Sequence, residues 1–343
     1  MPVRIGTRGS ALALTQTQQT AELLSAVGGF ETELVRIKTE GDVKTGSLAQ
    51  LGGTGVFVAA LREALLADRC DIAIHSLKDL PTAGTPGLAL GAIPSRADVR
   101  DVLCARDGLT LAQLPAGAKV GTGSPRRAAQ LRAARPDLEV VDIRGNVDTR
   151  LGRVPGLAGN TAGSAAAAAR GSAEPLDAVV LAAAGLARLG RTEVVSEYFE
   201  PDVMLPAPGQ GALAVECRID DAPLRENGTP VKGAVQGALA LALAAIDDAD
   251  TRLAVSAERA LLARLEAGCA APVGAFARRK GSLLYLTAIV CSVDGTKSLR
   301  LERATDGLTE VGAHLLGIEL AEELLAEGAA DLADLGSGEG YEA

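Results

Sequence analysis

Apolar positions in the first 95 residues form short runs that alternate with longer amphipathic stretches. The short runs, which predict strands, lie at residues 3–6, 31–37 and 71–75. The amphipathic stretches, which predict helices, lie at 10–24 and 57–68. Ser10 begins the first of these, and its side chain is suited to cap the helix. Strands alternating with helices are typical of parallel α/β sheets. Residues 40–55 are polar and glycine-rich, which predicts a long loop.

The same alternation recurs between residues 98 and 201. Strands are predicted at 102–105, 119–122, 139–143 and 178–182, with helices between them. Residues 156–175 interrupt this unit with a low-complexity Ala/Gly/Ser sequence, which predicts a mobile surface excursion without a catalytic role. Residues 205–212 are rich in Pro and Gly and predict a crossover between domains. A strand is predicted directly after it, at 213–217.

A third unit is predicted from about Val231 onward. Its amphipathic helix covers residues 249–267, and Gly268 is expected to end it as a C-cap. Two strands and a helix follow, at 283–291, 299–302 and 308–327. The tail 336–343 is predicted to be flexible.

Arginines concentrate in residues 121–153, which contain seven of them and no lysine against four acidic residues. The whole chain has 34 Lys and Arg against 43 Asp and Glu, a net charge of −9. An acidic chain with no Trp, three Tyr and four Phe is a poor candidate for nucleic-acid binding, which favours basic domains and stacking side chains. Because guanidinium groups bind carboxylate or phosphate through paired hydrogen bonds, the cluster indicates an anionic small ligand.

The remaining composition restricts other kinds of chemistry. Two histidines, and cysteines without zinc-ligand spacing, leave little from which to build a metal site or a Ser-His-Asp triad. No stretch reaches the ~18 apolar residues of a membrane span, and the N-terminal sequence has no apolar signal core. We therefore expect a cytoplasmic protein with no membrane partner and reduced cysteines.

The cysteines fall into two classes. Cys269 follows the helix-ending glycine and is predicted to lie on a loop with an accessible thiol, which suits a nucleophile or an attachment point. Cys70, Cys217 and Cys291 lie in or beside apolar segments and are predicted to be buried and inert.

Charged residues follow the carboxyl ends of predicted strands, where open α/β sheets bind ligands. Lys78 and Asp79 come just after the strand 71–75, and Asp79 is a candidate carboxylate at the base of a cleft. Arg8 lies in the turn after the first strand. The turn at 121–127 leads into a helix N-terminus, whose backbone N–H groups favour an anion. Two such turns facing each other would form an anion-binding cleft between domains.

Structural alternatives apply to the same residues. Asp79 followed by Pro81 also suits a solvated turn. The arginines also suit an exposed helix face, and we favour that interpretation for Arg132 and Arg135.

Eight runs in register resemble the porphobilinogen deaminase (hydroxymethylbilane synthase) family. They are TRGSALAL (7–14), GGTGVFV (52–58), DIAIHSLKDLP (71–81), GTGSPRRAAQL (121–131), RGNVDTRL (144–151), AAAGLARLG (182–190), LPAPGQGALAVECR (205–218) and ERALLARLEAGCAAPVG (258–274). The similarity extends from residue 4 to about residue 335.

The resemblance implies a three-domain α/β fold. The first two domains would be built like the lobes of a type II periplasmic binding protein, with mixed, mainly parallel sheets, and the third would be a small α+β domain. The expected limits are 1–95 with about 206–228 for domain 1, 98–203 for domain 2 and 231–335 for domain 3.

The resemblance also implies a transferase of tetrapyrrole (haem) biosynthesis. Four porphobilinogen molecules would be joined head to tail on a dipyrromethane cofactor attached by a thioether to Cys269, with release of ammonia and final hydrolysis to hydroxymethylbilane. Asp79 matches the family's catalytic aspartate, and its carboxylate would stabilise positive charge at pyrrole nitrogen. The matching carboxylate binders are Arg8, Ser10, Lys78, Ser124, Arg126, Arg127, Arg144, Arg150 and Arg188. The implied partners are porphobilinogen and the growing pyrrole chain, with no metal, and the implied state is a monomer.

The chain departs from the family pattern in two segments. Gln50 and Thr54 stand where many relatives have lysines, with Lys44 as the compensating cation. The 156–175 insert has no counterpart in shorter members. A non-catalytic two-lobed binding protein for a carboxylated ligand is the alternative from another class. It accounts for Arg8 and the arginine cluster, but not for Lys78-Asp79, Cys269 or a third domain.

Overall fold

Two five-stranded sheets and one three-stranded sheet organise the chain. The computed structural model describes residues 2–37, 55–157, 174–226, 229–230, 237–267 and 271–335. Several predicted features lie outside these residues: the loop at 40–54, most of the 156–175 insert, Gly268, Cys269 and the 336–343 tail.

The strands are numbered in chain order. They are β1 (Val3–Thr7), β2 (Thr32–Arg36), β3 (Ile72–Ser76), β4 (Leu88–Ala92), β5 (Asp101–Ala105), β6 (Lys119–Gly121), β7 (Glu139–Val141), β8 (Ala178–Ala182), β9 (Glu197–Phe199), β10 (Leu213–Arg218), β11 (Arg225–Glu226), β12 (Thr229–Pro230), β13 (Val273–Lys280), β14 (Leu283–Cys291) and β15 (Ser298–Thr305).

The α-helices of the described residues are numbered in the same way. They are α1 (Ala11–Gly28), α2 (Gly55–Leu66), α3 (Pro125–Ala134), α4 (Val147–Leu151), α5 (Ala183–Arg188), α6 (Ala238–Ile246), α7 (Ala249–Arg264) and α8 (Glu310–Ala326).

The first two sheets share one strand plan. Their orders are β2-β1-β3-β10-β4 in the first lobe and β7-β6-β8-β5-β9 in the second lobe. In each lobe the first three strands pair in parallel, and the fourth pairs antiparallel with both of its neighbours. The predicted mixed α/β architecture is confirmed, although parallel pairs make up half of the pairings rather than most. The chain enters the second lobe through β5 and returns to the first lobe through β10.

The third domain is an antiparallel sheet, β13-β14-β15, covered by α7 and α8. Its core contains Leu261, Leu286 and Leu320, each fully buried. This arrangement confirms the small α+β domain. The helix α6 packs with its Leu243 in the core of the first lobe, beside Ile5 of β1. The predicted domain limits stay predictions, and this packing moves our proposed start of the third domain from Val231 to α7.

Two serine caps begin the helices that follow β1 and β6. The Ser10 hydroxyl accepts a hydrogen bond from the Ala13 backbone nitrogen at 3.3 Å. The Ser124 hydroxyl accepts one from the Arg127 backbone nitrogen at 3.4 Å, with Pro125 at the first helical position. Both caps satisfy N–H groups that have no partner within the helix, so the chain turns sharply from strand to helix at these places.

The helix α7 ends earlier than the sequence predicts. Its last residue is Arg264, and Leu265 occupies the cap position in place of the expected Gly268. Glu266 already adopts a left-handed backbone conformation, with φ at 48°. The helix is therefore over before the glycine is reached.

A buried carboxylate joins the third domain to the two segments that connect the lobes. Glu258 of α7 is fully buried and accepts two hydrogen bonds from the Arg96 guanidinium, at 2.6 and 2.9 Å. Its oxygens also accept from the backbone nitrogens of Gly209, at 2.6 Å, and Ala277, at 2.8 Å. Arg96 lies between β4 and β5, and Gly209 lies before β10. The Glu258 carboxylate is therefore hydrogen-bonded to both segments that connect the two lobes.

The described cysteines are all buried. Cys70, Cys217 and Cys291 lie in the interior as predicted, and Cys104 joins them. Burial raises the pKa of the Cys217 thiol to about 12 and that of Cys291 to about 11, so both stay protonated and unreactive. In the part of the chain that the structure describes, no helix combines the length and apolar character needed to cross a bilayer.

Candidate active site

The residues after β1 and β3 meet at one edge of the first sheet. These two strands pair in parallel, so their carboxyl ends lie together. Arg8, Ser10, Gln16, His75, Ser76 and Asp79 line a common cavity of about 90 Å³ there, with apolar side chains from α1, α2 and β3. The structure therefore brings together two sequence-predicted groups, Arg8 with Ser10 and the turn that carries Asp79.

Asp79 is the last residue of a short 3-10 turn, Leu77–Asp79, that directly follows β3. Its side chain is exposed, while Leu77 and Leu80 on either side of the turn are buried. Among the described residues its carboxylate forms no hydrogen bond or close ion pair, and it acts electrostatically on Lys78 and Arg150. An exposed carboxylate on a fixed turn is available to a cationic group of a ligand.

Lys78 is half-buried and lies within electrostatic range of Arg127 and Asp101 in the second lobe. Burial and, to a smaller extent, the nearby Arg127 together lower the pKa of its ammonium group to about 8, against the opposing effect of Asp79 and Asp101. The influence of Arg127 and Asp101 on Lys78 places the two lobes in electrostatic contact at this point.

Arg126 and Arg127, in the first turn of α3, are buried and paired within the protein. Arg126 lies 2.8 Å from a carboxylate oxygen of Asp101 and donates to the Leu205 carbonyl at 2.6 Å. Arg127 lies 2.7 Å from the other oxygen of Asp101 and donates to the Val180 carbonyl at 3.1 Å. Only 3% and 5% of these two residues is exposed. Their guanidinium groups are therefore engaged in holding α3 to β5 and to the crossover.

Asp101, at the start of β5, is the anion that binds this pair. It is fully buried and also accepts a hydrogen bond from the Gln210 side chain at 2.9 Å. Burial alone would raise the pKa of Asp101, but the two guanidinium groups and Gln210 hold it at about 2. Asp101 was missed by sequence reasoning because an acidic residue within RADVRD has the local pattern of a solvated turn.

The other second-lobe arginines are more accessible. Arg150 donates to the Gly145 carbonyl at 2.8 Å and is half-buried. Burial lowers its pKa, as do Arg127 and Arg144, while Asp142 and Asp79 act in the opposite direction. Asp79, in the first lobe, is thus within electrostatic range of Arg150, in the second lobe.

Arg144 and Arg188 flank this group. Arg144 is exposed and has only a weak pair with Asp142, at 3.4 Å. Arg188 donates from α5 to the Gly211 carbonyl at 2.8 Å, which links the second lobe to the crossover, and burial lowers its pKa. Arg144 is therefore the most accessible arginine of the set, whereas Arg188 is partly committed to the hinge.

Arg132 and Arg135 lie away from the cleft. Arg132 donates to the Val293 carbonyl at 2.8 Å, which connects α3 to the third domain. Arg135 caps the end of α3, pairs with Asp137 at 2.6 Å and donates to two backbone carbonyls. Both arginines make contacts elsewhere in the fold, and these contacts are more specific than those of the solvated helix face that the sequence favours.

The comparisons with known proteins cover nearly all of the chain. Residues 3–226 match the family model "Porphobilinogen deaminase, dipyromethane cofactor binding domain", and residues 252–326 match "Porphobilinogen deaminase, C-terminal domain". The porphobilinogen deaminase of Micrococcus luteus is 54% identical, with 96% of this chain and 93% of the relative covered. The porphobilinogen deaminase of Cutibacterium acnes is also 54% identical, over 97% of each chain.

A similar result comes from Thermobifida fusca, whose porphobilinogen deaminase is 49% identical over 99% of this chain and 98% of its own. Among solved structures, a TRAP periplasmic solute binding protein from Desulfovibrio salexigens aligns over 72% of each chain, with 9% identity and a TM-score of 0.37. At that TM-score the likeness supports no conclusion about fold or function.

Proposed function

Since the chain belongs to the porphobilinogen deaminase family, we propose that its cleft between the lobes condenses four porphobilinogen molecules head to tail. Each condensation releases ammonia, and hydrolysis of the finished chain yields hydroxymethylbilane. The observation that carries the site assignment is the position of Asp79. This exposed carboxylate lines the cavity with Arg8 and Ser10 and lies within electrostatic range of Arg150.

In this proposal Asp79 stabilises positive charge at pyrrole nitrogen. Loss of ammonia from an aminomethyl pyrrole leaves an electron-poor ring system, and formation of the new carbon–carbon bond again places positive charge on nitrogen. A carboxylate that has no partner among the described residues is free to accept hydrogen bonds from those nitrogens. Because the turn is held by its buried neighbours, the charge is in place before the reaction begins.

The acetate and propionate groups of each pyrrole require cations around Asp79. We assign these cations to Arg8, Lys78, Arg144 and Arg150. We assign a hydrogen-bonding part to the Ser10 hydroxyl, which caps α1 and also lines the cavity. We propose a less direct part for Arg126, Arg127, Ser124 and Arg188, because each already serves a cap, the crossover or Asp101. They supply positive potential and shape the second-lobe wall.

The donor set fits the dipyrromethane cofactor named in the matching family model. The exposed carboxylate of Asp79 and the half-buried hydroxyl and guanidinium groups of Ser10 and Arg8 share one cavity. Together they suit a molecule with pyrrole N–H donors and carboxylate arms. When bound, the cofactor supplies the free pyrrole carbon to which the first porphobilinogen is added. We propose that Cys269 attaches it by a thioether. The described cysteines support this choice, since all of them are buried.

The alternative of a non-catalytic two-lobed binding protein is not favoured. It leaves the third domain without a use, whereas that domain matches the porphobilinogen deaminase C-terminal family model over residues 252–326. We further propose that the protein acts on porphobilinogen as a monomer in the cytoplasm.

The first prediction concerns Asp79. Asp79→Ala should lower porphobilinogen consumption by at least roughly 100-fold, because a preorganised charge at the reacting atoms is lost. Its free energy of unfolding should change by less than about 1 kcal/mol, because the side chain is exposed. Ammonia release and urea denaturation measure the two effects. Asp220→Ala, exposed just beyond β10 at the opposite edge of the same sheet, is the control. Turnover within tenfold of wild type would refute the role of Asp79.

The second prediction concerns Cys269. Protein made in cells that supply porphobilinogen should carry the added mass of two pyrrole units, and Cys269→Ala should lack it. Cys291→Ala, which alters a buried thiol, should keep the added mass. Intact-mass spectrometry checks all three proteins. Unmodified wild-type protein, or a modified Cys269→Ala variant, would contradict the assignment.

A further inference from the structure

An arginine of the third domain holds the turn that carries Asp79. Arg259 of α7 donates from Nη1 to the Leu80 carbonyl at 2.8 Å and from Nη2 to the Pro81 carbonyl at 2.7 Å. These are the first two carbonyls after Leu77–Asp79. The planar guanidinium thus spans two consecutive peptide groups, a geometry that a lysine cannot reproduce.

The rest of the turn is fixed by packing and backbone contacts. The Leu77 nitrogen donates to the Ala212 carbonyl at 3.0 Å, and the Leu80 nitrogen donates to the Leu77 carbonyl at 3.0 Å. Leu77 and Leu80 belong to a small core that also contains Val255 of α7. Val255 and Arg259 are four residues apart, so both lie on the same face of the helix and contact the turn.

The position of Arg259 is electrostatically unfavourable. Burial and, to a smaller extent, the nearby Arg62 together lower its pKa to about 10, against the opposing effect of Glu216. Glu216 itself is engaged by Arg62 at 2.9 Å and lies 3.2 Å from His75. A side chain present only for packing would avoid this cost by being apolar. The two carbonyl contacts are what the guanidinium supplies there.

We infer that Arg259 is a positioning residue for Asp79. Its two hydrogen bonds fix the position of the turn at the cavity and connect the turn to α7 of the third domain, the helix that precedes Cys269 in the sequence. The inference rests on the proposed role of Asp79. Displacement of a catalytic group by about 1 Å costs up to roughly 100-fold in rate, so loss of the two contacts should reduce turnover without removing any group that touches the substrate.

The test compares Arg259→Ala, Arg259→Lys and the control Arg264→Ala. Arg264 lies on the same helix and pairs with Glu322 inside the third domain, away from the turn. Rates are expressed per mole of protein that carries the dipyrromethane mass. Arg259→Ala should lower kcat by roughly 10- to 100-fold with KM within about threefold of wild type. Arg259→Lys should recover to within about tenfold of wild type, and Arg264→Ala should stay within about twofold of it.

A second background separates positioning from stability. If Arg259 acts through Asp79, then adding Arg259→Ala to an Asp79→Glu enzyme should cost less than about threefold, because the two changes act on one unit. The inference is overturned if the losses in kcat from Arg259→Ala and Asp79→Glu multiply fully in the double variant. It is also overturned if Arg259→Ala alone keeps kcat within twofold of wild type. If Arg259→Ala yields no folded holoenzyme, Arg259→Lys replaces it, both alone and in the double variant with Asp79→Glu. A fully active Asp79→Ala enzyme defeats the proposed role of Asp79, and a wild-type protein that releases no ammonia from porphobilinogen defeats the proposed function. An inactive Asp79→Ala enzyme together with a normal Arg259→Ala enzyme defeats only the positioning role.

Discussion

The two lobes present the same local turn and use its arginines in opposite ways. In the first lobe β1 leads through Arg8 to the Ser10 cap, and Arg8 lines the cavity. In the second lobe β6 leads to the Ser124 cap, and the arginines that follow are buried against Asp101. The difference teaches that the turn determines where a helix begins, whereas burial against a distant anion commits the arginines of the second turn to the fold.

The largest expected effect comes from removing the partner that distinguishes the second lobe. Asp101→Asn should lower the free energy of unfolding by about 3–5 kcal/mol, because it leaves two buried guanidinium groups without their anion. Asp137→Ala, which removes the more exposed partner of Arg135, should cost less than about 1 kcal/mol. Urea denaturation compares the two variants. A loss below 1 kcal/mol for Asp101→Asn would contradict the structural role of the buried cluster.

The same substitution should change the response to acid. The folded pKa of Asp101, about 2, lies below the usual value of 3.8, so the stability that this carboxylate contributes is present above pH 4 and is lost as the pH falls toward 2. Asp101→Asn should therefore lose less stability than wild type between pH 4 and 2.5. Equal losses in the two proteins would show that other carboxylates dominate this range.

An intermediate effect is expected when the arginines of the two turns are exchanged for alanine. Arg127→Ala should destabilise the protein by about 2–3 kcal/mol, because Asp101 loses one of its buried cations. Arg8→Ala should cost about 1 kcal/mol or less in stability but should lower turnover by more than roughly tenfold. Denaturation and porphobilinogen consumption, measured on both variants, separate the two roles. Similar profiles for the pair would remove the distinction between the lobes.

The smallest expected effect concerns the caps that the lobes share. Ser10→Ala and Ser124→Ala should each cost about 1 kcal/mol, because each serine satisfies one helix N-terminal N–H group. Denaturation midpoints of the two variants provide the measurement. A cost for Ser124→Ala well above that for Ser10→Ala would mean that its cap also supports the ion pairs of the arginines beside it.

The sequence predicts what depends on nearby residues. The Ser10 cap, the apolar run of β3 and the turn at Lys78 and Asp79 follow from local pattern, and the structure reproduces them. The strands β4, β9, β11, β12 and β13 were not predicted. In β9, only Phe199 is buried among three residues, so its apolar signal is too short to be distinguished from a loop.

The features that escaped prediction depend on partners far along the chain. Asp101 has its role only because β5 is inserted in the sheet beside α3, and Arg259 reaches carbonyls 178 and 179 residues away. No periodicity encodes such pairings, because they arise from the order of strands and the placement of the third domain. The assignment of Cys269 stays a prediction, since the residue lies outside the described part of the chain.

The interrupted course of the chain has a consequence for its synthesis. The second lobe draws all five of its strands from one continuous stretch that ends with β9, whereas the first sheet needs β10 between β3 and β4. As the chain emerges from the ribosome, the later lobe therefore has a complete sheet before the earlier one does. Until β10 has been synthesised, the edges of β3 and β4 that pair with it have no partner strand. Unpaired strand edges promote aggregation, so the first lobe is more prone to aggregate during synthesis than the second.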